Sequence, residues 1–169
     1  MVVNFLDKKE NLNHYEILAK AYIDVAHRLG VTKIIIHTGY CDIDNDKSLR
    51  EKYILQRNYL KRIGDFAAKK NLLIYVENIF PFSKSLHTAL PSKLSEEIIL
   101  INHDNIRACF DVSHAYLCCE AFKSDFMSNA VDLGSLSDHW HVHDSFGKLN
   151  FINSYFCLLY TSPSPRDRG

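Results

Sequence analysis

Four residues of the types that bind divalent metals stand at the ends of successive apolar segments of the sequence. They are His37, Glu77, Asp111 and His141. Imidazole nitrogens and carboxylate oxygens together form a mixed donor set that suits Zn, Mn, Co or Mg rather than copper or iron–sulfur chemistry. Ordinary helix caps would rarely align at four segment ends. We therefore predict that these four residues hold a divalent metal.

Two of the carboxylates carry further signals. His114 follows Asp111 by three residues, at the start of the next loop or helix, so both side chains could face one cavity. The same pair is also compatible with an aspartate that caps a helix and a histidine that bonds a backbone carbonyl. Glu77 ends the apolar segment 72–76, and an unpaired buried carboxylate is costly. We expect a positive group beside Glu77.

Three histidines alternate near the end of the sequence, at positions 139, 141 and 143. His141 and His143 would share one side of a strand, and only one of them need be a ligand. An exposed edge-strand cluster is the alternative interpretation, and His37 before Thr38 is similarly open. The remaining histidines are predicted to be solvated surface residues: His14, His27, His87 and His103.

The segments before these residues are predicted to be helix–strand units. Apolar spacing of three and four residues predicts a helix from His14 to Leu29 that ends at Gly30, and a second from about Ser48 to Lys70. A third begins after Pro91, and a less regular helical region from Ala115 to about Ala130 precedes a loop with Gly134. The apolar faces predicted to point inward are Ile17, Leu18, Ala21, Tyr22, Val25, Ala26 and Leu29 in the first helix, Leu49, Tyr53, Leu60, Ile63, Phe66 and Ala67 in the second, and Leu94, Ile98, Ile99 and Ile101 in the third.

The strands are predicted over residues 32–37, 72–78, 106–111 and 140–144, each with the pattern of a buried parallel strand. The four strand-end residues lie 40, 34 and 30 residues apart, which is typical of consecutive βα units. Right-handed crossovers place such strands side by side with their carboxyl ends on one rim. The predicted fold class is therefore α/β, and His37, Glu77, Asp111 and His141 should converge.

Four segments resemble, in order and spacing, the xylose-isomerase-like TIM barrel superfamily. They are Ile36–Gly39, Val76–Asn78, Phe110–Ala115 and His141–Lys148, of which the Asp-x-x-His-Ala and His-x-His-Asp-x-x-Gly motifs are the more specific. That superfamily includes sugar-phosphate isomerases and epimerases and the endonuclease IV group of apurinic endonucleases. The resemblance runs from about residue 1 to 150.

The resemblance implies roles for individual residues. Glu77, Asp111 and His141 match metal ligands, His114 matches a contact to a substrate hydroxyl or a second metal, and His37 matches a further ligand in endonuclease-like members. A final glutamate of the family has no counterpart. A complete (β/α)₈ barrel needs roughly 250 residues. The chain thus resembles a partial barrel of about four strands, truncated at both ends, with the end of one more strand at Val2–Leu6.

The function implied is a metal-dependent sugar or sugar-phosphate isomerase or epimerase, in which Glu77 and His114 are catalytic and a metal-stabilised enediolate forms. A fragment alone is expected to be inactive, and its open sheet edges predict aggregation or a homo-oligomer. The alternatives are an apurinic-site phosphodiesterase and a non-catalytic carbohydrate-binding barrel. Lys and Arg number 20, as do Asp and Glu, so the zero net charge favours a small carbohydrate over nucleic acid or an anionic membrane.

Composition and terminal sequence predict the compartment and the domain limits. No apolar run reaches the roughly 20 residues of a membrane span, and the amino terminus lacks a signal-peptide pattern. Five cysteines without a CxxC pair favour a reducing, cytoplasmic location. Residues 1–156 are predicted to be the partial barrel, and the Ser/Pro/Arg-rich residues 157–169 a non-native, disordered tail.

Overall fold

The computed structural model describes residues 3–41, 46–81 and 90–143. Helices and strands alternate along this part of the chain, as the sequence predicts. The elements are α1 (Lys9–Arg28), β1 (Lys33–His37), α2 (Asp46–Ala68), β2 (Leu73–Glu77), α3 (Pro91–Ile101), β3 (Ile106–Asp111), α4 (Val112–Phe122), α5 (Phe126–Gly134) and β4 (Ser137–His141).

The four strands form one parallel sheet in the order β1-β2-β3-β4. The α/β fold class and the parallel arrangement are therefore confirmed. The register pairs His37 with Glu77 and Asp111 with His141, so the residues that end neighbouring strands lie side by side. Because all the strands run in one direction, their carboxyl ends form one rim of the sheet.

The hydrophobic core lies between one face of the sheet and the helices. Side chains alternate along a strand, and the apolar positions Ile74, Val76, Ala108 and Phe110 belong to the core cluster with residues of the helices. The intervening positions, among them Glu77 and Asp111, consequently lie on the opposite face of the sheet. The inward residues predicted for α2 are buried or partly buried, which confirms that face.

The apolar face predicted for α1 is only partly right, since Ala26 is buried and Leu18 packs against the core but the other predicted residues are exposed: Ile17, Ala21, Tyr22, Val25 and Leu29. The buried residues are Leu12, Ala19, Ile23 and Ala26, whereas Ile17 and Leu29 are 69% and 75% exposed. Apolar residues occupy two sides of this helix, so spacing alone could not decide which side faces the sheet. The predicted end of the helix is confirmed, since Gly30 has a φ of 72°. In α3, Ile99 is likewise exposed rather than inward.

The region after β3 also differs from its prediction. Two helices replace the single irregular one, because Asp111 caps α4 at once, Lys123 leaves α4 with a φ of 54°, and Asp125 caps α5. Gly134 is the last residue of α5 rather than part of a loop. The fourth strand runs from Ser137 to His141, three residues earlier than predicted.

The start of the described chain is not a strand. Val3 to Leu6 are buried beside β1 without strand pairing, where the Asn4 amide donates to the Tyr40 carbonyl at 2.8 Å and accepts from the Tyr40 N–H at 3.0 Å. Among the described residues, no helix is both long and apolar enough to cross a membrane. His87, Asp144 and the predicted tail 157–169 lie outside the described residues.

Candidate metal centre

The carboxyl ends of β2 and β3 place two buried carboxylates next to each other. Glu77 is 4% exposed and Asp111 is 1% exposed. An apolar strand ends with each of them, so the strands fix both backbones before the side chains turn into the rim. Two carboxylates at this depth require partners, since a buried charge without compensation is strongly unfavourable.

Asn78 links the carboxyl ends of β2 and β3 by two hydrogen bonds. Its side-chain oxygen accepts a hydrogen bond from the Asp111 N–H at 2.8 Å, and its amide donates to the Asp111 carbonyl at 2.9 Å. The side chain is fully buried. Asn78 therefore holds Asp111 beside Glu77, a positioning role that its residue type alone does not indicate.

The two carboxylate oxygens of Asp111 have different partners: one caps a helix and the other faces the histidines of the site. Oδ1 accepts the His114 backbone N–H at 2.8 Å and so caps α4. Oδ2 lies 3.0 Å from His143 Nε2 and 3.8 Å from His141 Nδ1. Both interpretations of the Asp-x-x-His pair thus hold at once: the aspartate caps a helix and also faces the histidines.

His141 lies beside Glu77, at the position where the sequence predicts a positive group. Its Nδ1 lies 3.0 Å from Glu77 Oε1. Glu77, Asp111 and His141 each offer one ligand atom, and these three atoms lie within 4.8 Å of one another. Three of the four predicted ligands are therefore brought together in the geometry of a small cation site.

His114 is buried against the same carboxylates. Its Nδ1 lies 3.0 Å from the Asn78 carbonyl and 3.5 Å from Glu77 Oε1. A carbonyl only accepts hydrogen bonds, so Nδ1 carries the proton and Nε2 is left as the acceptor. His114 also forms a second group of closely spaced donor atoms with Asp111 and His143.

His37 lies at the margin of the cluster. Its Nε2 is 3.7 Å from Glu77 Oε2, and its side chain is 38% exposed, against 5% for Glu77. His37 belongs to none of the sets of mutually close ligand atoms found among the described residues. The structure therefore brings it near the site without bringing it into the inner donor set.

Two histidines were assigned differently by the sequence. His143 lies after the end of β4, yet its ring reaches Asp111, so both alternating histidines contact the carboxylates. The period-two spacing was the available signal for this result. His103, predicted as a surface residue, has a side chain only 15% exposed; it lies against Gly64 and accepts a hydrogen bond from the Asn105 N–H. That prediction was wrong, because the absence of a Cβ at position 64 makes room for the ring.

Burial dominates the electrostatics of the cluster. It raises the pKa of Glu77 to about 6, against the opposing effect of His141. Burial, together with the smaller effect of the neighbouring His114, lowers the pKa of His37 to about 4. The pKa of His114 is also lowered by burial, although Asp111 opposes the shift. Low dielectric surroundings therefore favour the neutral forms of these groups when no cation lies between them.

The donor set fits a divalent cation. Within the part of the chain that the structure describes, every ion-pair partner of Glu77 and Asp111 is a histidine, and none is a lysine or an arginine. Two carboxylates without a permanently charged partner leave negative charge that a bound cation would neutralise. Nitrogen and oxygen ligands in this ratio suit zinc, manganese, cobalt or magnesium.

Comparison with known proteins agrees with this fold. The xylose isomerase-like TIM barrel family matches residues 7–153 of the sequence. No curated protein matches the sequence. A solved D-tagatose 3-epimerase-like protein superposes with a TM-score of 0.70 at 20% identity, over 93% of this chain and 62% of that one.

Two further solved structures contain metals. A xylose isomerase-like TIM barrel protein from Mycobacterium smegmatis in complex with magnesium has a TM-score of 0.61 at 15% identity, over 85% of this chain and 50% of that one. The IOLI protein with a bound zinc atom has a TM-score of 0.66 at 17% identity, over 86% and 51%. The chain thus spans between about half and two thirds of the length of these structures.

Proposed function

The chain belongs to the xylose isomerase-like TIM barrel family, and from that premise we propose that it carries the metal-dependent site of a sugar or sugar-phosphate isomerase or epimerase. The observation that carries the proposal is the convergence of Glu77, Asp111 and His141 at the carboxyl ends of adjacent parallel strands. In βα barrels this rim is where catalytic residues lie. The epimerase-like structural neighbour supports the reaction class.

Glu77, Asp111 and His141 would hold the metal, with His37 as a further, outer ligand. When bound, a divalent ion such as Mn, Zn, Co or Mg acts as a Lewis acid that polarises substrate oxygens and stabilises the charge that develops when a carbon-bound proton leaves. Neighbours of the fold that contain magnesium or zinc support this cofactor class without selecting one metal.

Glu77 would also move the proton. His141 engages its Oε1, whereas Oε2 lies 3.7 Å from His37, beyond hydrogen-bond distance. Oε2 would therefore be the oxygen that accepts a proton from a substrate carbon. His114, whose Nδ1 is held by the Asn78 carbonyl, presents Nε2 as an acceptor for a substrate hydroxyl. Glu77 and His114 are accordingly the proposed catalytic residues.

The proposal also covers the domain limits, the location and the oligomeric state of the chain. Residues 1–156 would form the partial barrel and residues 157–169 a non-native tail. Cys109, Cys118 and Cys119 are buried thiols outside any disulfide, which supports a reducing cytoplasmic location. Exposed Ile17 and Leu29 on α1, together with Trp140 and Val142 after α5, support association into a homo-oligomer.

Proton exchange with solvent tests the proposed reaction. Because the chain spans only part of its structural neighbours, the assay uses a full-length barrel that contains this segment, loaded with Mn²⁺ and incubated with ketoses and aldoses in deuterated water. We expect deuterium at the carbon beside the carbonyl. Glu77→Gln should abolish it, and the exposed Glu120→Gln should retain it. Sugar binding without exchange would favour a non-catalytic barrel, and cleavage of abasic duplex would favour a phosphodiesterase.

A further inference from the structure

A second group of metal-ligand atoms lies next to the carboxylate site, on the face of the sheet opposite the helices. Cys109 of β3 pairs in register with His139 of β4, and His141 follows on the same face of β4. One ligand atom from each of Cys109, His139 and His141 lies within 4.8 Å of the other two. The cluster contains a thiol and two imidazoles, and no carboxylate.

The chemistry of this cluster differs from that of the carboxylate set. Thiolate sulfur is a soft ligand that selects zinc over magnesium or manganese, and imidazole suits zinc equally well. Glu77 and Asp111 offer hard oxygen atoms, which suit magnesium and manganese. Of these two neighbouring donor sets, only the one that contains Cys109 therefore discriminates against magnesium and manganese.

The local structure allows a metal to bind and to enter. Cys109 is fully buried, while His139 and His141 are partly exposed, so the cluster opens to solvent on its histidine side. Zn–S bonds of about 2.3 Å and Zn–N bonds of about 2.0–2.1 Å place tetrahedral ligand atoms roughly 3.5 Å apart. Donor atoms already within 4.8 Å reach that spacing by small side-chain rotations, and the half-buried rings leave room for them.

We propose that Cys109, His139 and His141 form a zinc site distinct from the Glu77–Asp111–His141 set. Binding forms a Zn–S bond to Cys109 and releases the thiol proton to solvent, and the two imidazoles bind through their unprotonated nitrogens. The fourth tetrahedral position is taken by water.

His141 belongs to both sets, which makes the two positions competitors. A neutral imidazole has one unprotonated nitrogen and can therefore bind one metal at a time. Zinc held by Cys109 and His139 removes His141 from the carboxylate set. Zinc binding at this site therefore inhibits the binding of a harder metal, such as magnesium or manganese, at the neighbouring carboxylate set. Zinc binding by Cys109 does not depend on the proposed isomerase activity.

Cobalt spectroscopy on the purified 169-residue protein tests the proposal. Co²⁺ substitutes for zinc, and a cobalt–thiolate bond gives a near-ultraviolet charge-transfer band that histidine and carboxylate ligands do not give. We expect this band in the wild-type protein and its loss in Cys109→Ser. Cys118→Ser is the matched control, because Cys118 is also fully buried but lies on α4, and it should keep the band.

Metal affinities of two variants separate this site from the carboxylate set. Cys109→Ser should weaken Zn²⁺ binding by at least about tenfold, since losing even a hydrogen-bond partner of a ligand costs that much, and should leave Mn²⁺ binding unchanged. Glu77→Gln should weaken Mn²⁺ binding and leave the cobalt–thiolate band intact. If Glu77→Gln leaves Mn²⁺ affinity unchanged, the carboxylate metal site is wrong. The zinc site at Cys109 is still tested independently by the cobalt–thiolate band.

The proposal is overturned by either of two results. One is a wild-type protein that binds Co²⁺ without a thiolate band. The other is a band that persists in Cys109→Ser, which would place the thiolate elsewhere. Both readings come from protein whose far-ultraviolet circular dichroism matches that of the wild type, and Cys109→Ala replaces Cys109→Ser if the serine variant does not fold.

Discussion

Two glutamates of this protein are almost equally buried and have opposite surroundings. Glu97, on α3, is 2% exposed and forms an ion pair with Arg57 of α2 at 2.9 Å. Glu77, at the end of β2, is 4% exposed, and its described ion-pair partners are histidines. Arginine stays charged, whereas histidine is not a permanent countercharge. In the helix layer, Arg57 therefore neutralises Glu97 permanently. At the ends of the strands, Glu77 and Asp111 are available to bind a cation.

The largest effect on folding is expected from breaking the helix-layer pair. Arg57→Met should lower the free energy of unfolding by about 3 kcal/mol, because it leaves Glu97 buried without a countercharge. Denaturant unfolding measures this loss. Mn²⁺ affinity should stay at its wild-type value; a loss of affinity would show that the two regions are coupled, contrary to the comparison.

The next largest effect concerns the asparagines that bridge β2 and β3. Asn78→Ala removes two buried hydrogen bonds and should cost about 2 kcal/mol, and it should also weaken Mn²⁺ binding by about tenfold because Asp111 loses its fixed position. Asn105 bridges the same strands at their opposite ends, where its amide donates to the Leu72 carbonyl at 3.0 Å. Asn105→Ala should lower stability and leave Mn²⁺ affinity unchanged. If Asn78→Ala and Asn105→Ala lose the same Mn²⁺ affinity, Asn78 has only a structural role and does not position Asp111 for the metal.

Two helix caps give a smaller and complementary effect. Asp125 caps α5 through the Ser128 N–H at 2.7 Å, and Asp125→Ala should cost about 1 kcal/mol without changing metal affinity. Asp111→Asn should keep the α4 cap, because asparagine caps as well as aspartate, and should lose Mn²⁺ binding. Unfolding curves and titrations of both variants check this separation. Metal binding retained in Asp111→Asn would remove Asp111 from the donor set.

The smallest effect is expected from a carboxylate that has two cationic partners. Lys20→Met removes one of the two partners of Glu16 on α1, while Arg62 stays at 2.7 Å from the carboxylate, and should change stability by less than about 1 kcal/mol. This variant calibrates the Arg57→Met result by the same unfolding measurement. A loss as large as that of Arg57→Met would mean that burial does not distinguish the two ion pairs.

The sequence was sufficient where one physical pattern dominated. The strands before Glu77 and Asp111 are apolar apart from Arg107 and end with a charged residue, so their positions and the convergence of their ends could be predicted. Helix α1 was misassigned because it carries apolar residues on two sides, and only tertiary packing selects Leu12 and Ile23 over Ile17 and Leu29.

The candidate site was predictable in its ligand types and less so in its supports. Glu77, Asp111 and His141 follow from their residue types at strand ends. Asn78 lies in the segment Val76–Asn78 that carries the resemblance, but its residue type did not indicate its role, because that role depends on the distance to Asp111 in a neighbouring strand. His143 could not be separated from His141 by alternation alone, since the strand ends between them and the chain then turns toward Asp111.

The central claim is that the buried carboxylates of the rim are held together for a divalent cation. The most direct measurement is the free energy of unfolding of the wild type and of Glu77→Gln, each with chelator and with saturating Mn²⁺. At 100 times its dissociation constant, Mn²⁺ should stabilise the wild type by about 2.7 kcal/mol and the variant by almost nothing. Without metal, the variant should be at least as stable as the wild type, because a buried charge without a permanent countercharge has been removed. Equal stabilisation of the two proteins by Mn²⁺, or none of either, would contradict the account.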